Sequence, residues 1–335
     1  ENQVQYHAPG KFDATTGDLL PKSEANLPPK YQDVFGLTLL DLAKNNDKII
    51  GITPAMPSGS SLKFMMDVLP KRAFDVGIAE QHAVTSMCAM AKEGFKPYVS
   101  IYSTFLQRAY DQVIHDACIM NLDVVFAIDR AGIVGEDGET HQGAFDISYL
   151  SAIPNMTLMA PRDERGMHAA IHYSYIHKGP LAIRYPRGAF LESDAFESLP
   201  FEYGKAQLLQ EGTSSILLLG YGSGVGKAIA TSKLLAEQGI EAAIVDLRFV
   251  KPLDETLLIA LSQEYNKWYV FSDSAKIGGV GSLLMAVKEK HTLNVNIKTF
   301  EYEDAFITHG ATHLVEEQLG ITVEQLAEVI SKEFY

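Results

Sequence analysis

One carboxylate stands at a junction where a strand-like segment passes directly into a helix. In the run Asp75-Val-Gly-Ile-Ala-Glu80-Gln-His82, the strand pattern ends, Gly77 permits a turn, and Glu80 falls in the first turn of a helix whose later residues are apolar. A first-turn acid complements the partial positive charge of a helix N-terminus without any further function. The spacing by itself therefore leaves a structural acid and a catalytic acid both open.

Three further strand-like segments end in residues that could contact a ligand. In chain order these candidates are Tyr102, Phe105, Arg108, Arg130, Asp137, His141, Arg184 and Arg187. Phe105 could equally be a core residue, and Arg108 a helix-surface charge. However, Arg130 opens a long polar loop rich in glycine and acids, and loops of that kind carry function more often than packing. Open parallel sheets bind ligands at the carboxyl ends of their strands, so four such ends on one edge favour a catalytic site.

The elements that must position these residues follow from an alternation of strand-like and helical patterns. Short apolar runs alternate with amphipathic segments from residue 33 to about residue 185, and a second alternating set begins after residue 203. Alternation of this kind predicts a mostly parallel sheet covered by helices on both faces. A length of 335 residues fits two domains of roughly 150 residues. We predict an α/β protein with two three-layer α/β/α domains: a connecting arm (1–30), a first domain (31–187), a linker (188–203) and a second domain (204–335).

Composition excludes several classes of protein. Apolar residues make up 47% and charged residues 21% of the chain, and no apolar run approaches the roughly 20 residues of a membrane span. A net charge of -14 argues against binding to nucleic acids or anionic membranes, which require a basic surface. Cys88 and Cys118 lie in apolar helical patterns without metal-ligand spacing, so we expect reduced, packed thiols and a cytoplasmic location.

Two further patterns resemble ligand sites but are better explained by structure. The run Gly220-Tyr-Gly-Ser-Gly-Val-Gly-Lys227 follows a strand, yet it fits neither a phosphate-binding loop nor a dinucleotide fingerprint in any register. His168 and His172 have helical spacing, but they lack the adjacent glutamate and the third ligand of a zinc site. We therefore predict that this chain alone binds no metal.

Read together, the strand-end segments resemble the 1-deoxy-D-xylulose-5-phosphate synthase family of the transketolase superfamily. The resemblance extends from Tyr6 to the C-terminus. Its most specific segments are residues 6–13, 53–56, 75–84, 101–116, 127–149, 184–188 and 246–254. The Glu80 segment and the loop that contains His141 are shared with other transketolase-like enzymes. The run from Phe105 to Asp111 and the Tyr6-His7 arm point to the synthase family itself.

This resemblance implies an activity and a role for each candidate. The activity is the thiamine-diphosphate-dependent condensation of pyruvate with D-glyceraldehyde 3-phosphate, which releases CO2 and supplies isoprenoid, thiamine and pyridoxal biosynthesis. Glu80 would hydrogen-bond the pyrimidine N1′ of the cofactor, with Phe105, Ile78 and Arg108 as further cofactor contacts. Tyr102, Arg130 and Arg187 would contact the phosphate of the aldehyde. Arg184 would also contact substrate, and Asp137 would order the loop or contact the acceptor. His141 and His7 would lie beside the reacting carbons.

One departure from the family pattern limits what the chain is expected to do. The family holds the diphosphate through Mg²⁺ bound by a Gly-Asp-Gly motif and a distant Asn, and no Gly-Asp-Gly occurs here. We therefore predict that an N-terminal domain in cis supplies Mg²⁺ binding, that the chain is inactive without it, and that the enzyme is a homodimer. Two alternatives stay open: a β-type subunit of a two-chain 2-oxo-acid dehydrogenase or transketolase, and a non-catalytic assembly module.

Overall fold

The computed structural model describes residues 10–20, 28–190 and 196–334. Six strands lie in the first half of the chain: β1 (Ile49–Thr53), β2 (Ala73–Asp75), β3 (Lys96–Tyr102), β4 (Val125–Asp129), β5 (Thr157–Met159) and β6 (Leu181–Arg184). The α-helices between and before them are α1 (Tyr31–Asn45), α2 (Lys63–Val68), α3 (Glu80–Lys92), α4 (Ser103–Leu106), α5 (Tyr110–Gln112), α6 (Asp146–Ser151) and α7 (Glu164–Ile176).

The second half repeats the alternation. Its strands are β7 (Gln207–Gln210), β8 (Ile216–Gly220), β9 (Ala243–Asp246), β10 (Phe249–Lys251), β11 (Lys267–Ala275) and β12 (Asn296–Tyr302). Its helices are α8 (Ser223–Ala236), α9 (Glu255–Leu261), α10 (Val280–His291), α11 (Thr312–Leu319) and α12 (Val323–Phe334). No helix within the described residues is both long and apolar enough to cross a bilayer.

Two mostly parallel sheets organise these elements. Seven strands form the first sheet in the order β10-β5-β6-β4-β3-β1-β2, and five form the second in the order β12-β11-β8-β9-β7. Every residue of β1, β3 and β4 is buried, as expected for central strands covered on both faces. The predicted α/β class with two mostly parallel sheets is confirmed.

Two local features depart from a plain alternation of strands and α-helices. The segment after β3 alternates α-helical and 3-10 turns and ends in a π-helix, Val113–Cys118. Strand β10 lies in the second half of the sequence but pairs antiparallel with β5, so that Phe249 is opposite Met159. The second half therefore completes the edge of the first sheet. Cys88 and Cys118 are free and buried, as predicted.

A buried ion-pair network joins the two halves. The Arg184 guanidinium donates from Nε to Asp146 Oδ2 at 2.8 Å and also binds the Asp273 carboxylate at the end of the second sheet. Arg184 is 4% exposed. Arg184 was predicted to contact substrate, but its guanidinium makes four hydrogen bonds, all to the carboxylates of Asp146 and Asp273 and to the Asp273 carbonyl. We therefore do not retain a substrate role for Arg184.

Candidate active site

Glu80 is the first residue of α3, and its carboxylate is buried. Gly77 adopts a φ of +68° in the preceding turn, where Asp75 Oδ1 accepts from the amides of Gly77 and Ala55. The Glu80 residue is 2% exposed, and its Oε1 accepts from Arg108 Nη1 at 2.5 Å. Glu80 Oε2 is buried with no hydrogen-bond partner among the described residues. Because buried polar atoms are nearly always paired, this oxygen is an acceptor open to a ligand.

Three aromatic rings assemble next to one another at the ends of β3 and β4. The Phe105 ring stacks on that of Tyr102 with 5.4 Å between centroids and 12° between planes. The His141 imidazole meets Phe105 edge-on, with centroids 5.3 Å apart. His141 Nδ1 lies 3.0 Å from the Thr140 hydroxyl. The ring of Phe105 is therefore contacted from two sides, and it is partly buried against the hydrophobic core.

The Tyr102 hydroxyl stays protonated at neutral pH and can donate a hydrogen bond. Burial raises the pKa of Tyr102 to about 12, although the Arg130 guanidinium acts in the opposite direction. That guanidinium lies over the Tyr102 ring, 4.4 Å from its centroid, in a cation-π contact. A Cβ atom on Gly59 would lie only 2.0 Å from the Tyr102 hydroxyl, so the close approach of this ring requires glycine there.

Arg130 is held in an unusual conformation. Its φ of +58° is left-handed, which costs a non-glycine residue on the order of 1 kcal/mol. Its neighbour Asp129 is 0% exposed, and burial raises the pKa of this carboxyl to about 6 although the Arg130 charge opposes the shift. Burial is the largest single influence on the pKa of Arg130 and lowers it, but the charge and hydrogen bond of Asp129 act together with Tyr102 and Asp137, and the net direction is upward. Both members of the pair are therefore charged at neutral pH.

The loop from residue 130 to residue 143 is closed by a short backbone bridge. The amides and carbonyls of Gly132 and Gly143 exchange two hydrogen bonds, of 2.7 and 2.8 Å. A Cβ on Gly143 would lie 2.0 Å from the Arg130 carbonyl oxygen, which explains the glycine. Arg187 supports the loop from β6: its Nη1 donates to the Val134 carbonyl at 2.9 Å and lies 3.5 Å from Asp137 Oδ1.

The second half of the chain contacts the same loop. Buried Gln142 accepts from the Val134 amide at 2.8 Å and donates to the Thr308 carbonyl at 3.2 Å. A Cβ on Gly135, whose φ is +65°, would lie 2.8 Å from the Gly310 carbonyl oxygen. The conformation of the loop therefore depends on the segment between β12 and α11. Sequence reasoning missed Gln142 as a loop support, although the residue lies beside His141 in the recognised loop.

The structure thus brings most predicted residues into linked groups. Glu80 contacts Arg108, Tyr102 contacts Phe105 and Arg130, and Arg187 lies beside Asp137. The Ile78 side chain is 77% exposed, two residues before Glu80. His7 lies outside the described residues, and Arg184 makes its hydrogen bonds with Asp146 and Asp273 in the protein interior. Gln32, whose Oε1 accepts from Arg130 Nη1 at 2.6 Å, and Gly59 were not predicted, since neither carries a recognisable local signal.

Metal-binding groups form no cluster in the described parts of the chain. His, Cys, Asp and Glu side chains there form no group of three or more that could hold a metal ion. Packing explains two glycines of the run that leads into α8: a Cβ on Gly220 would lie 2.5 Å from the Val225 Cα, and one on Gly224 would lie 2.1 Å from the Phe271 carbonyl oxygen. The site therefore offers a buried carboxylate and arginines.

Comparison with known proteins accounts for this combination of sheets and site. Residues 28–191 match the family model of the transketolase pyrimidine-binding domain, and residues 204–326 match that of the transketolase C-terminal domain. The chain belongs to the transketolase family. Within that family it is a homologue of 1-deoxy-D-xylulose-5-phosphate synthase. The protein of that name from Sulfurimonas denitrificans is 55% identical over 327 residues, which are 97% of this chain and 53% of that protein.

A second relative has the same name and a similar degree of identity. The 1-deoxy-D-xylulose-5-phosphate synthase of Campylobacter jejuni subsp. doylei is 51% identical over 329 residues, 98% of this chain and 53% of that protein. The chain therefore spans about half the length of the curated relatives that it matches. A solved chain described as split-gene transketolase in an inactive β4 tetramer superimposes with a TM-score of 0.81 at 24% identity, covering 90% of this chain and 97% of that one. This transketolase-family likeness shows the fold, and the matched domain is the one that binds the pyrimidine of thiamine diphosphate.

Proposed function

We propose that this chain is the C-terminal part of a 1-deoxy-D-xylulose-5-phosphate synthase, which joins pyruvate to D-glyceraldehyde 3-phosphate and releases CO2. The observation that carries the proposal is the open, buried Oε2 of Glu80, whose other oxygen is held by Arg108. A desolvated acceptor at the start of a helix suits a ring nitrogen of the cofactor's aminopyrimidine. Identities of 51 to 55% to relatives of that name support this choice of reaction.

The residues around Glu80 fit the pyrimidine half of thiamine diphosphate. When bound, this cofactor supplies a carbon nucleophile for attack on 2-oxo acids. Glu80 Oε2 would accept a hydrogen bond from N1′ and hold the proton there. Phe105, which Tyr102 and His141 hold in place, would support the flat face of the ring. The exposed Ile78 side chain is free to contact the remainder of the cofactor, and Arg108 would keep the Glu80 carboxylate charged and oriented.

The acceptor phosphate is assigned to Arg130 and Arg187, with Tyr102 as a neutral donor. Guanidinium groups suit phosphate because they donate in a planar fork. On a chain of net charge -14, such local cations are required to hold an anion. Asp137 would order Arg187, from which it lies 3.5 Å away. His141 would exchange a proton with the oxygen atoms at the reacting carbons, and the same role is proposed for His7.

The chain is incomplete for this chemistry. We propose that a diphosphate-binding domain outside this chain holds Mg²⁺ and the cofactor diphosphate in cis, and that the complete cytoplasmic enzyme is a homodimer. The length of the relatives, about twice that of the matched region, supports the additional domain.

A two-chain enzyme is the second candidate. It is favoured by the structural likeness to the split-gene transketolase chain, of which this chain covers 97%. In that arrangement the diphosphate-binding domain is a separate polypeptide, and the residues of the present site keep the same roles. The mass of the intact gene product distinguishes the two arrangements, since a single long polypeptide would exclude the second.

The activity itself is tested with the complete protein, Mg²⁺, thiamine diphosphate, carbon-13-labelled pyruvate and D-glyceraldehyde 3-phosphate. We expect labelled 1-deoxy-D-xylulose 5-phosphate and one CO2 per product, identified by NMR. A ketose phosphate as donor with ribose 5-phosphate as acceptor, in place of the two substrates, is the control for an ordinary transketolase, which transfers a two-carbon ketol unit. CO2 release without the labelled sugar phosphate would contradict the assignment, and retention of full activity by a Glu80→Gln variant would favour the non-catalytic assembly module.

A further inference from the structure

One nitrogen of the Arg130 guanidinium is enclosed by protein acceptors. Nη1 donates to Asp129 Oδ1 at 2.9 Å, to Gln32 Oε1 at 2.6 Å and to the Gly59 carbonyl at 2.7 Å. Because Nη1 carries only two hydrogens, three acceptors at these distances occupy it completely. No hydrogen bond joins Nη2 to a residue that the structure describes. The guanidinium is therefore fixed at one end, and Nη2 is left for another ligand.

Asp129 also fixes the Arg130 backbone. Its Oδ1 accepts from the Arg130 amide at 2.6 Å, which supports the left-handed φ of +58° at that residue. The neighbouring strand encloses the pair, since the Tyr185 amide donates to Ile128 and the Tyr185 carbonyl accepts from Ala131. Side chain and backbone of Arg130 are thus held by the same carboxylate oxygen.

This arrangement is not one that stability alone would select. Asp129 Oδ2, Arg130 Nε and the Tyr185 hydroxyl are all buried without a hydrogen-bond partner among the described residues. Buried polar groups are ordinarily paired, and a left-handed arginine is strained. Unpaired atoms and backbone strain in one cluster are typical of a site in which geometry serves a ligand.

We propose that Asp129 and Gln32 are positioning residues, which hold Arg130 for the acceptor phosphate and thereby set the preference for phosphorylated aldehydes. This inference rests on the proposed function. It assigns to both residues a role through their hydrogen bonds to Arg130. Gln32 lies on α1 and Asp129 at the end of β4, so two elements fix the guanidinium from different directions.

The test compares Asp129→Ala, Asp129→Asn and Gln32→Ala in the complete enzyme, using D-glyceraldehyde 3-phosphate and unphosphorylated D-glyceraldehyde. We expect Asp129→Ala to raise the KM for the phosphorylated aldehyde by about tenfold or more, and Gln32→Ala to raise it several-fold, as for lost hydrogen bonds to a charged group. The KM for pyruvate and the kinetics with unphosphorylated aldehyde should change little. Asp129→Asn retains an oxygen at the Oδ1 position and should restore the KM to within about threefold of the original value.

Asp246→Ala is the matched control. Asp246 is also a buried acid at a strand end, and it accepts from Arg162 Nη1 at 3.1 Å and from the Arg248 amide at 3.0 Å. Its loss should lower the melting temperature without a selective effect on the phosphorylated aldehyde. If Asp129→Ala does not fold, the KM values of Gln32→Ala for the two aldehydes test the inference alone. The inference is overturned if the folded variants keep the original preference, or if Asp129→Asn changes it as much as Asp129→Ala. A wild-type enzyme that makes no product would instead contradict the proposed function.

Discussion

At the scale of single residues, the site depends on buried side chains that each keep one hydrogen-bonding atom without a partner among the described residues. Glu80 uses one oxygen for Arg108 and keeps the other free, so its chemistry is directed toward a single atom of a ligand. Arg130 is similar, because one nitrogen is enclosed by protein and another is not. Arg184, which the sequence places beside them, instead makes four hydrogen bonds to Asp146 and Asp273. The atoms that lack a protein partner, more than residue type, distinguish Arg130, which we propose binds the phosphate, from Arg184.

Glu80→Gln should abolish most of the cofactor activation in the complete enzyme. An amide cannot hold a proton at N1′ as a carboxylate does, so we expect the C2 proton of bound thiamine diphosphate to exchange at least about a hundredfold more slowly. Deuterium exchange followed by NMR after rapid quenching measures this rate. Glu93→Gln, at the other, exposed end of α3, is the matched control and should exchange normally. A normal rate of C2 proton exchange in Glu80→Gln would show that Glu80 does not activate the cofactor.

Arg187→Ala should weaken binding of the acceptor, D-glyceraldehyde 3-phosphate, without affecting binding of the donor, pyruvate. A charge-assisted contact is worth roughly 1.5–3 kcal/mol, so the KM for D-glyceraldehyde 3-phosphate should rise about ten- to a hundredfold. Lysine at this position should rescue only in part, because it lacks the planar fork. Steady-state kinetics with each substrate varied in turn make the comparison, with exposed Arg165→Ala on α7 as the control. Equal losses for pyruvate would identify Arg187 as general support of the loop.

At the scale of elements, the loop from residue 130 to residue 143 is supported by both halves of the chain. Arg187 holds it from β6, and Gln142 ties it to the segment that follows β12. Glycines at residues 132, 135 and 143 are needed where backbone and side chains of other segments approach closely. The C-terminal domain is therefore part of what shapes the site, in addition to any role in assembly.

Gln142→Ala should loosen this loop while leaving the sheets intact. The change removes the acceptor of the Val134 amide and leaves buried groups unpaired, which costs about 1–3 kcal/mol. We expect hydrogen exchange of the Val134 amide to accelerate about tenfold or more, with unchanged protection of β4. Mass spectrometry of deuterated peptides from this chain measures both regions, and exposed Gln263→Ala is the control. An unchanged Val134 rate would show that the Gln142 side chain does not hold the loop.

At the scale of the whole molecule, the two halves of the chain share a hydrophobic core and together form the edge of the first sheet. Strand β10 completes the first sheet, and the Arg184 network crosses from the first sheet to the second. Apolar residues of both halves belong to one continuous core, for example Leu158 of β5 and Val250 of β10. The pyrimidine-binding and C-terminal domains are therefore expected to unfold together, and the site is expected to retain its shape in this chain alone.

The isolated chain should bind the cofactor weakly and without help from Mg²⁺. It supplies the proposed pyrimidine contacts, and its described residues form no metal group. We expect a Kd weaker than about 1 μM, which corresponds to roughly 8 kcal/mol of binding free energy. Thiamine and thiamine diphosphate should bind about equally well, because only the diphosphate distinguishes them. Calorimetric titration of each compound with and without Mg²⁺ tests this, and tight Mg²⁺-dependent binding would contradict our account.

Periodicity and residue chemistry along the chain determined the α/β class, the two parallel sheets and the edge on which the site lies. These features could be predicted because strand and helix patterns are local, and because parallel strands place their carboxyl ends together. The family resemblance then pointed to Glu80 and the loop around His141. The division at residues 188–203 and the site roles stay predictions.

Only the tertiary structure decided which partners these residues have. Gln32 contacts Arg130 across 98 positions of sequence, and Arg184 contacts Asp273 across 89. No local pattern records such pairs, since they depend on which side chains packing brings within hydrogen-bond distance. For the same reason, the sequence could not distinguish Arg130, with one end open, from Arg184, whose guanidinium is committed to the interior. Burial and the number of nearby acceptors separate them, and both arise from the folded chain as a whole.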